Sequence, residues 1–116
     1  MTRVLIVDDE VDIAETLQSF LELEGFEAVV AVDGVEALQK AHDTDPDLIL
    51  TDMMMPRMGG PELIARIRES PELEHTPIIA MSGKHQVTDD VPFFHKPFEP
   101  DALIAEIRHL VADPDR

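Results

Sequence analysis

The sequence predicts an α/β fold, in which a parallel sheet is covered by helices on both faces. Three continuous apolar runs without polar alternation, at Val4–Val7, Leu48–Leu50 and Pro77–Met81, are typical of strands buried on both sides. Segments with the helical spacing of apolar residues lie between these runs. That alternation is the pattern of successive βαβ units, which are joined by right-handed crossovers.

Five strands are predicted in chain order. They lie at Val4–Val7, Phe26–Val32, Leu48–Thr51, Pro77–Met81 and Val91–His95. The second run is rich in alanine and valine, and the fifth is short. The third run leads directly into Asp52, so a carboxylate is expected at the end of a central strand.

Four helices are predicted between and after the strands. They begin at Val11, at Asp33-Gly34, at Pro61 and at Pro100, and they end near Glu24, near His42, at Ser70 and close to the C-terminus. Asp33-Gly34 is typical of a turn as well as of a helix start. Gly25 and Asp45-Pro46 are stop signals for the first two helices, and proline suits the first position of the other two. In the second helix, Val35, Leu38 and Ala41 are expected to form the apolar face.

The alternation fails once, between the fourth and fifth strands. The stretch Gly83–Pro92 contains one or two apolar residues and presents no helical face. A loop or a single turn is therefore predicted there, and not a packed helix.

The composition excludes several classes of protein. With 116 residues, the chain is expected to form a single domain, residues 1–116, and 44% apolar residues favour a globular core. The absence of cysteine excludes disulfide scaffolds and thiolate metal sites. A formal net charge of −16 disfavours binding to nucleic acid or anionic lipid. Neither a membrane span nor a signal peptide is expected, and a cytoplasmic location is predicted.

Chemically active side chains cluster at the predicted strand ends. Asp8 and Asp9 follow the first strand, Asp52 the third, Ser82 the fourth and Lys96 the fifth. The carboxyl ends of parallel strands meet at one edge of the sheet, so these side chains are expected to converge. Three carboxylates in one pocket repel one another, and a divalent cation relieves the repulsion. Oxygen ligands without histidine or cysteine suit Mg²⁺, with Mn²⁺ as an alternative.

Beside such a cation, the Ser82 hydroxyl and the Lys96 ammonium would form a cradle for a phosphoryl group. Asp52 is then a candidate nucleophile, because carboxylates form acyl phosphates. Simpler roles stay open at this point. Asp52 alone would suit a turn, and Asp8 and Asp9 would suit the cap of the first helix.

Five motifs of the chain resemble those of the receiver domain of two-component response regulators. They are VLIVDDE at Val4–Glu10, Asp33-Gly34, LILTDMMMPRMGG at Leu48–Gly60, IIAMSG at Ile78–Gly83 and KPF at Lys96–Phe98. Each motif alone is weak, but five in this order, at strand ends, are highly specific. The resemblance implies a flavodoxin-like, doubly wound sheet of five parallel strands in the order 2-1-3-4-5.

In this resemblance, Asp52 is the expected phosphoacceptor. Asp8 and Asp9 would hold Mg²⁺ together with Asp52, with Asp9 as the more direct ligand, and the backbone carbonyl of Met54 would complete the protein ligands. A histidine kinase or a histidine phosphotransfer protein would donate the phosphoryl group. The chain would catalyse only its own phosphorylation and dephosphorylation, so it is not expected to be an enzyme. The oligomeric state is left open, a monomer included.

The resemblance also implies roles for residues of the last two strands. Ser82 and Lys96 stand where the family has its hydroxyl and its lysine, and the Lys96–Pro97 bond resembles one that is cis in the family. Ser82 and Phe93 would form the conformational switch, although Phe93 is equally compatible with a place in the core.

The chain departs from the family pattern in two places. The segment between Ser82 and Lys96 is shorter by roughly eight residues, about two helical turns, so the fourth helix of the family is expected to be shortened or absent. Position 54, which is often polar in the family, is Met54 here. We expect this methionine to slow autodephosphorylation, because it excludes or fails to orient a water molecule.

Two other functions remain open. One is a receiver-like interaction module that works without phosphorylation, and the intact acids, Ser82 and Lys96 argue against it. The other is a small Mg²⁺-dependent phosphohydrolase with an aspartyl nucleophile. That chemistry would need a general acid two residues after the nucleophile, where this chain has Met54.

Overall fold

The computed structural model describes residues 1–55, 57–82, 91–96 and 99–112, and these residues contain five strands and four helices. The strands are β1 (Arg3–Val7), β2 (Glu27–Ala31), β3 (Leu48–Asp52), β4 (Ile78–Ser82) and β5 (Phe93–His95). The helices are α1 (Val11–Leu23), α2 (Gly34–Thr44), α3 (Gly60–Glu69) and α4 (Pro100–Ala112).

All five strands are parallel and form one sheet in the order β2-β1-β3-β4-β5. The predicted fold class and strand order are therefore confirmed. In the centre of the sheet, the register pairs Val7 of β1 with Thr51 of β3. Asp8 and Asp52, which follow these two residues, are placed side by side at the carboxyl edge.

The core consists of two apolar layers, one on each face of the sheet. Successive residues of a strand point to opposite faces, so neighbours in β1 and β3 belong to different layers. The layer under α2 and α3 includes Leu5, Ile49, Ala37, Leu63 and Ile67. The layer under α1 and α4 includes Val4, Leu50, Leu17, Ile104 and Ile107. Helices on both faces explain why the central strands are continuous apolar runs.

Helix α2 differs from its sequence prediction in its end and in its buried face. It continues to Thr44 and not only to His42, and it is capped by Asp45 in the left-handed conformation, directly before Pro46. Val35 was expected on the apolar face but is 47% exposed. The small residues Gly34, Ala37 and Ala41 are buried in its place, because they allow the helix to approach the sheet closely.

Two sequence predictions lie wholly or mainly outside the described residues. They are the loop at 83–92, of which only Val91 and Pro92 are described, and the bond between Lys96 and Pro97. Strand β5 begins at Phe93, two residues later than predicted. Within the described part of the chain, no helix has both the length and the apolar character that a membrane crossing requires.

Candidate functional site

The carboxyl edge of the sheet brings the predicted acids together. Asp8 follows β1 directly, and Asp52 is the last residue of β3. Asp8, Asp9 and Asp52 each offer a carboxylate oxygen, and the three oxygens lie within 4.8 Å of one another. Asp8 and Asp52 are buried, whereas Asp9 is exposed. The three acids thus form a cluster that is open to solvent on the side of Asp9.

Asp52 is held by the backbone that follows it. Its Oδ1 atom accepts a hydrogen bond of 2.9 Å from the Met53 amide, and the Met54 amide also interacts with the carboxylate. Burial raises the pKa of the Asp52 carboxyl above its ordinary value. Lys96 and the two amides oppose this effect, and the charge of Asp8 adds to it. A buried carboxylate in this position is stabilised by any further cation that approaches it.

Within the described part of the chain, Lys96 supplies the cationic side chain of the site. Its Nζ donates a hydrogen bond of 2.9 Å to Oδ2 of Asp8 and lies 3.7 Å from Oδ1 of Asp52. Burial by itself would lower the pKa of the Lys96 ammonium. The hydrogen bond to Asp8 and the charges of both aspartates outweigh burial, so the pKa is raised and the side chain stays charged.

Lys96 and Ser82 are joined through the backbone. The register pairs Ser82, the last residue of β4, with His95 of β5, and the Lys96 amide donates a hydrogen bond of 2.8 Å to the Ser82 carbonyl. Ser82 is fully buried at this edge of the sheet. The end of β4 is therefore fixed beside the residue that carries the ammonium.

Capping of α1 does not explain the two acids after β1. The N-cap of this helix is Glu10, which makes no side-chain capping bond. Oδ1 of Asp8 accepts a hydrogen bond of 2.9 Å from the Glu10 amide, before the first helical residue. This bond fixes Oδ1 of Asp8, while Oδ2 accepts the hydrogen bond from Lys96.

The donor set fits a hard divalent cation. Among the residues that the structure describes, three carboxylates meet a single ammonium, so negative charge is in excess at this part of the cluster. Carboxylate oxygens without histidine or cysteine are the ligands that Mg²⁺ prefers, and its small coordination sphere needs only one or two of them besides water. Asp9 supplies the side open to solvent, through which a hydrated ion can enter.

Two further residues named from the sequence lie near this edge with different surroundings. Met54 is 45% exposed, and its own amide is one of the two that hold Asp52. Phe93 is half-buried and packs against the apolar layer under α2 and α3. Its place in the core and a role in a switch are both compatible with this packing.

Sequence reasoning missed an ion pair next to the site. Asp33, the N-cap of α2, is buried and accepts hydrogen bonds from the guanidinium of Arg57, which lies in the loop after Asp52. The sequence predicted a helix start at Asp33-Gly34, but the capping box that Asp33 forms with Glu36 was not predicted. No local pattern marks Arg57 as the partner, since the pair joins residues far apart in the sequence.

The sequence matches the family model described as the response regulator receiver domain over residues 4–108. It is 32% identical to Protein PilG of Pseudomonas aeruginosa over an aligned length of 114 positions, and the alignment covers 91% of this chain and 84% of that protein. Other curated relatives are longer, and the chain spans about half of their length.

Solved structures agree with the family match. The chemotaxis response regulator CheY4 of Vibrio cholerae is 30% identical with a TM-score of 0.86, over 95% of this chain and 98% of that chain. The response regulator protein TrrA of Thermotoga maritima, solved in complex with Mg²⁺-BeF, is 32% identical with a TM-score of 0.85, over 95% of this chain and 99% of that chain.

Proposed function

Because the chain belongs to the response regulator receiver domain family, we propose that it accepts a phosphoryl group on the Asp52 carboxylate in a Mg²⁺-dependent reaction in the cytoplasm. One observation supports this proposal above the others. A buried aspartate lies at the end of the central strand, between a cluster of acids and a lysine ammonium 3.7 Å away. The donor would be the phosphohistidine of a histidine kinase or of a histidine phosphotransfer protein.

The transfer itself requires one nucleophilic oxygen. An Asp52 oxygen forms a bond to phosphorus while the P–N bond of the donor phosphohistidine breaks, and the imidazole leaves with the electron pair of that bond. The amides of Met53 and Met54 orient the carboxylate. The Lys96 ammonium neutralises charge on the phosphoryl oxygens, and the Ser82 hydroxyl donates a hydrogen bond to one of them.

Asp8, Asp9 and Asp52 would hold the divalent cation, together with the backbone carbonyl of Met54. When bound, Mg²⁺ supplies positive charge that draws the phosphoryl oxygens toward these acids. The solved TrrA structure contains Mg²⁺-BeF, which supports the choice of metal for this chain. Mn²⁺ has the same preference for oxygen ligands and is the second candidate.

The phosphorylated domain would signal through a change in the populations of two conformations. Ser82 binds the phosphoryl group in one of them, and Phe93 on the neighbouring strand follows it. The chain acts on no separate substrate, since its chemistry is the formation and loss of its own acyl phosphate. Residues 1–116 would form one receiver domain, without contact to nucleic acid or membrane by this domain.

Labelling with acetyl phosphate in the presence of Mg²⁺ tests the proposal. We expect one phosphoryl group per chain, measured by intact mass, and no label on the Asp52→Ala variant. Asp43→Ala, at an exposed aspartate of α2, is the matched control and should be labelled like the wild type. Release of phosphate over many turnovers would favour the phosphohydrolase, and absence of any label would favour the interaction module. Label that persists on Asp52→Ala would contradict the assignment of Asp52.

A further inference from the structure

The loop that follows Asp52 is tied to the N-terminus of α2. The Gly34 amide donates a hydrogen bond of 3.2 Å to the Met58 carbonyl. The Arg57 guanidinium donates to Oδ2 of Asp33 through Nε, at 3.1 Å, and through Nη2. Side chain and backbone thus hold the loop at two adjacent points of α2.

Asp33 is the fixed partner of this ion pair. The Asp33 side chain is only 5% exposed, whereas that of Arg57 is 65% exposed. The other oxygen of Asp33, Oδ1, accepts a hydrogen bond of 2.8 Å from the Glu36 amide and so belongs to the cap of α2. The hydrogen bond from Arg57 and the bond from the Glu36 amide keep the pKa of the Asp33 carboxyl below its ordinary value. A buried carboxylate without hydrogen-bond partners would destabilise the fold. The bond from Arg57 to Asp33 is therefore strong, although the arginine itself is largely exposed.

The backbone of Arg57 is in the left-handed region, with φ of 66°. That conformation is unfavourable for an arginine and persists where surrounding contacts impose it. One such contact is made by the next residue, Met58, which packs closely against Gly34. A Cβ added at Gly34 would lie 2.6 Å from the Met58 carbonyl oxygen. Arg57 therefore keeps a backbone conformation that an arginine does not favour.

We propose that Asp33 and Arg57 are positioning residues of the site: their ion pair fixes the loop so that the backbone of Met53 and Met54 is presented to Asp52 and to a divalent cation. Three observations support this: Arg57 and Met58 bond the loop to α2, the Gly60 amide donates a hydrogen bond of 3.1 Å to the Met53 carbonyl, and the amides of Met53 and Met54 hold Asp52. The inference rests on the proposed function, since it takes the Met54 carbonyl as a metal ligand. A partner that holds a ligand in place raises metal affinity without touching the metal.

Mg²⁺ titration by isothermal calorimetry tests the inference at a temperature where all variants are folded. Asp33→Asn keeps an oxygen for the Glu36 amide but turns an NH₂ group toward Arg57, and Arg57→Gln removes the charge. We expect each to weaken Mg²⁺ binding by about tenfold. The double variant should be no weaker than either single one, because the two residues act as a unit. Arg57→Lys should recover part of the affinity.

Arg66→Gln is the matched control, since Arg66 forms an exposed pair with Glu62 on α3, and its Mg²⁺ affinity should equal that of the wild type. A structural role alone would lower the thermal midpoint of Arg57→Gln and leave the Mg²⁺ affinity of the folded protein unchanged, and that result would overturn the inference. Wild-type protein without Mg²⁺ binding would overturn the proposed function as well. The two failures are thus told apart by the wild-type titration alone.

Discussion

The Lys96 ammonium donates a hydrogen bond of 2.9 Å to the carboxylate of Asp8, a residue without any exposed surface. The bond makes Lys96 the counterion of an acid that is also a proposed metal ligand. Lysine and a divalent cation therefore repel each other at this carboxylate, although both stabilise negative charge. The same lysine lies 3.7 Å from Asp52, where it would meet the incoming phosphoryl group.

Lys96→Met should separate the two effects of this lysine. Mg²⁺ binding should become tighter, by at least about threefold, because the competing positive charge is gone. Labelling of Asp52 by acetyl phosphate should slow by about 10² to 10³, the usual loss when one electrostatic stabiliser is removed. Calorimetric titration and the rate of label incorporation measure the two quantities. Lys40→Met, a change of the same kind on α2, should alter neither, and weaker Mg²⁺ binding by Lys96→Met would contradict the competition.

Asp52 should lower the stability of the metal-free protein at neutral pH. Burial raises the pKa of its carboxyl in the folded state. Between the unfolded pKa of about 3.9 and the raised folded pKa, the folded protein binds more protons, so stability falls as the pH rises. The loss of stability caused by ionised Asp52 is complete above the pKa of the folded state and absent below the pKa of the unfolded state.

Asp52→Asn should therefore raise the free energy of unfolding at pH 7.5 by about 1 kcal/mol without metal, and by less near pH 4. Urea titrations followed by circular dichroism give both values, with Asp43→Asn as the exposed control. Addition of Mg²⁺ should stabilise the wild type more than the variant, because the ion binds only the folded site. Lower stability of Asp52→Asn at pH 7.5 would show that the carboxylate gains more from its partners than burial costs.

Strand ends were the part of the site that the sequence could predict. Asp8 and Asp52 directly follow or end continuous apolar runs, and parallel strands must place such ends at one edge. The register that pairs Val7 with Thr51 is then the only further condition for their contact. Apolar runs therefore predict which acids lie at the ends of central strands, because a strand buried on both faces must lie in the middle of the sheet.

The end of α2 and the pair of Asp33 with Arg57 could not be predicted in the same way. Val35 has the spacing of a buried residue, yet the close approach of α2 favours small residues, and this approach depends on packing across the whole layer. Arg57 has a left-handed backbone, which is typical of glycine or asparagine and is not predicted for an arginine. Contacts made by tertiary structure decide both features, whereas strand ends follow from local patterns.

Met54 should control the lifetime of the acyl phosphate. The residue is exposed, its own amide holds Asp52, and its thioether is only a weak hydrogen-bond acceptor for a water molecule. Met54→Asn supplies an amide that can orient water toward phosphorus, so we expect loss of label to accelerate by about tenfold. Met54→Leu keeps an apolar side chain and should decay like the wild type. Equal lifetimes of all three proteins would count against a role for this position.

Gly34 should tolerate no side chain. A Cβ at this position would lie 2.6 Å from the Met58 carbonyl oxygen and 2.7 Å from its Cβ, so the loop and α2 would have to move apart. Gly34→Ala should destabilise the protein by about 1–3 kcal/mol, the usual cost of overpacking. Thermal or urea denaturation measures this change.

Gly59 provides the comparison for that substitution. It has a negative φ, and a Cβ there would come no closer than 3.4 Å to a neighbouring atom. Gly59→Ala should therefore change stability by no more than about 0.5 kcal/mol. Similar effects of the two substitutions would mean that the contact between Gly34 and Met58 relaxes easily.

The outer edge of β2 is covered by side chains from both faces of the sheet. Ala28 and Val30 alternate with the residues that bond β1, so their carbonyls face away from the sheet. Gln18 of α1 donates a hydrogen bond of 3.0 Å to the Ala28 carbonyl, and Lys40 of α2 donates one of 2.6 Å to the Val30 carbonyl. These bonds occupy acceptors that would otherwise be available to a strand of another chain.

Removal of both side chains should make this edge a site of self-association. We expect the average mass of Gln18→Ala/Lys40→Ala, measured by sedimentation equilibrium, to rise more steeply with concentration than that of the wild type. The net charge of −16 opposes contact between chains, so the measurement needs roughly 0.5 M salt to screen it. Thr16→Ala/Arg66→Ala changes exposed positions and removes the same charge, and it should behave like the wild type. If both double variants associate equally, lost charge and not an uncovered strand edge is the cause, because only the first variant frees the carbonyls of β2.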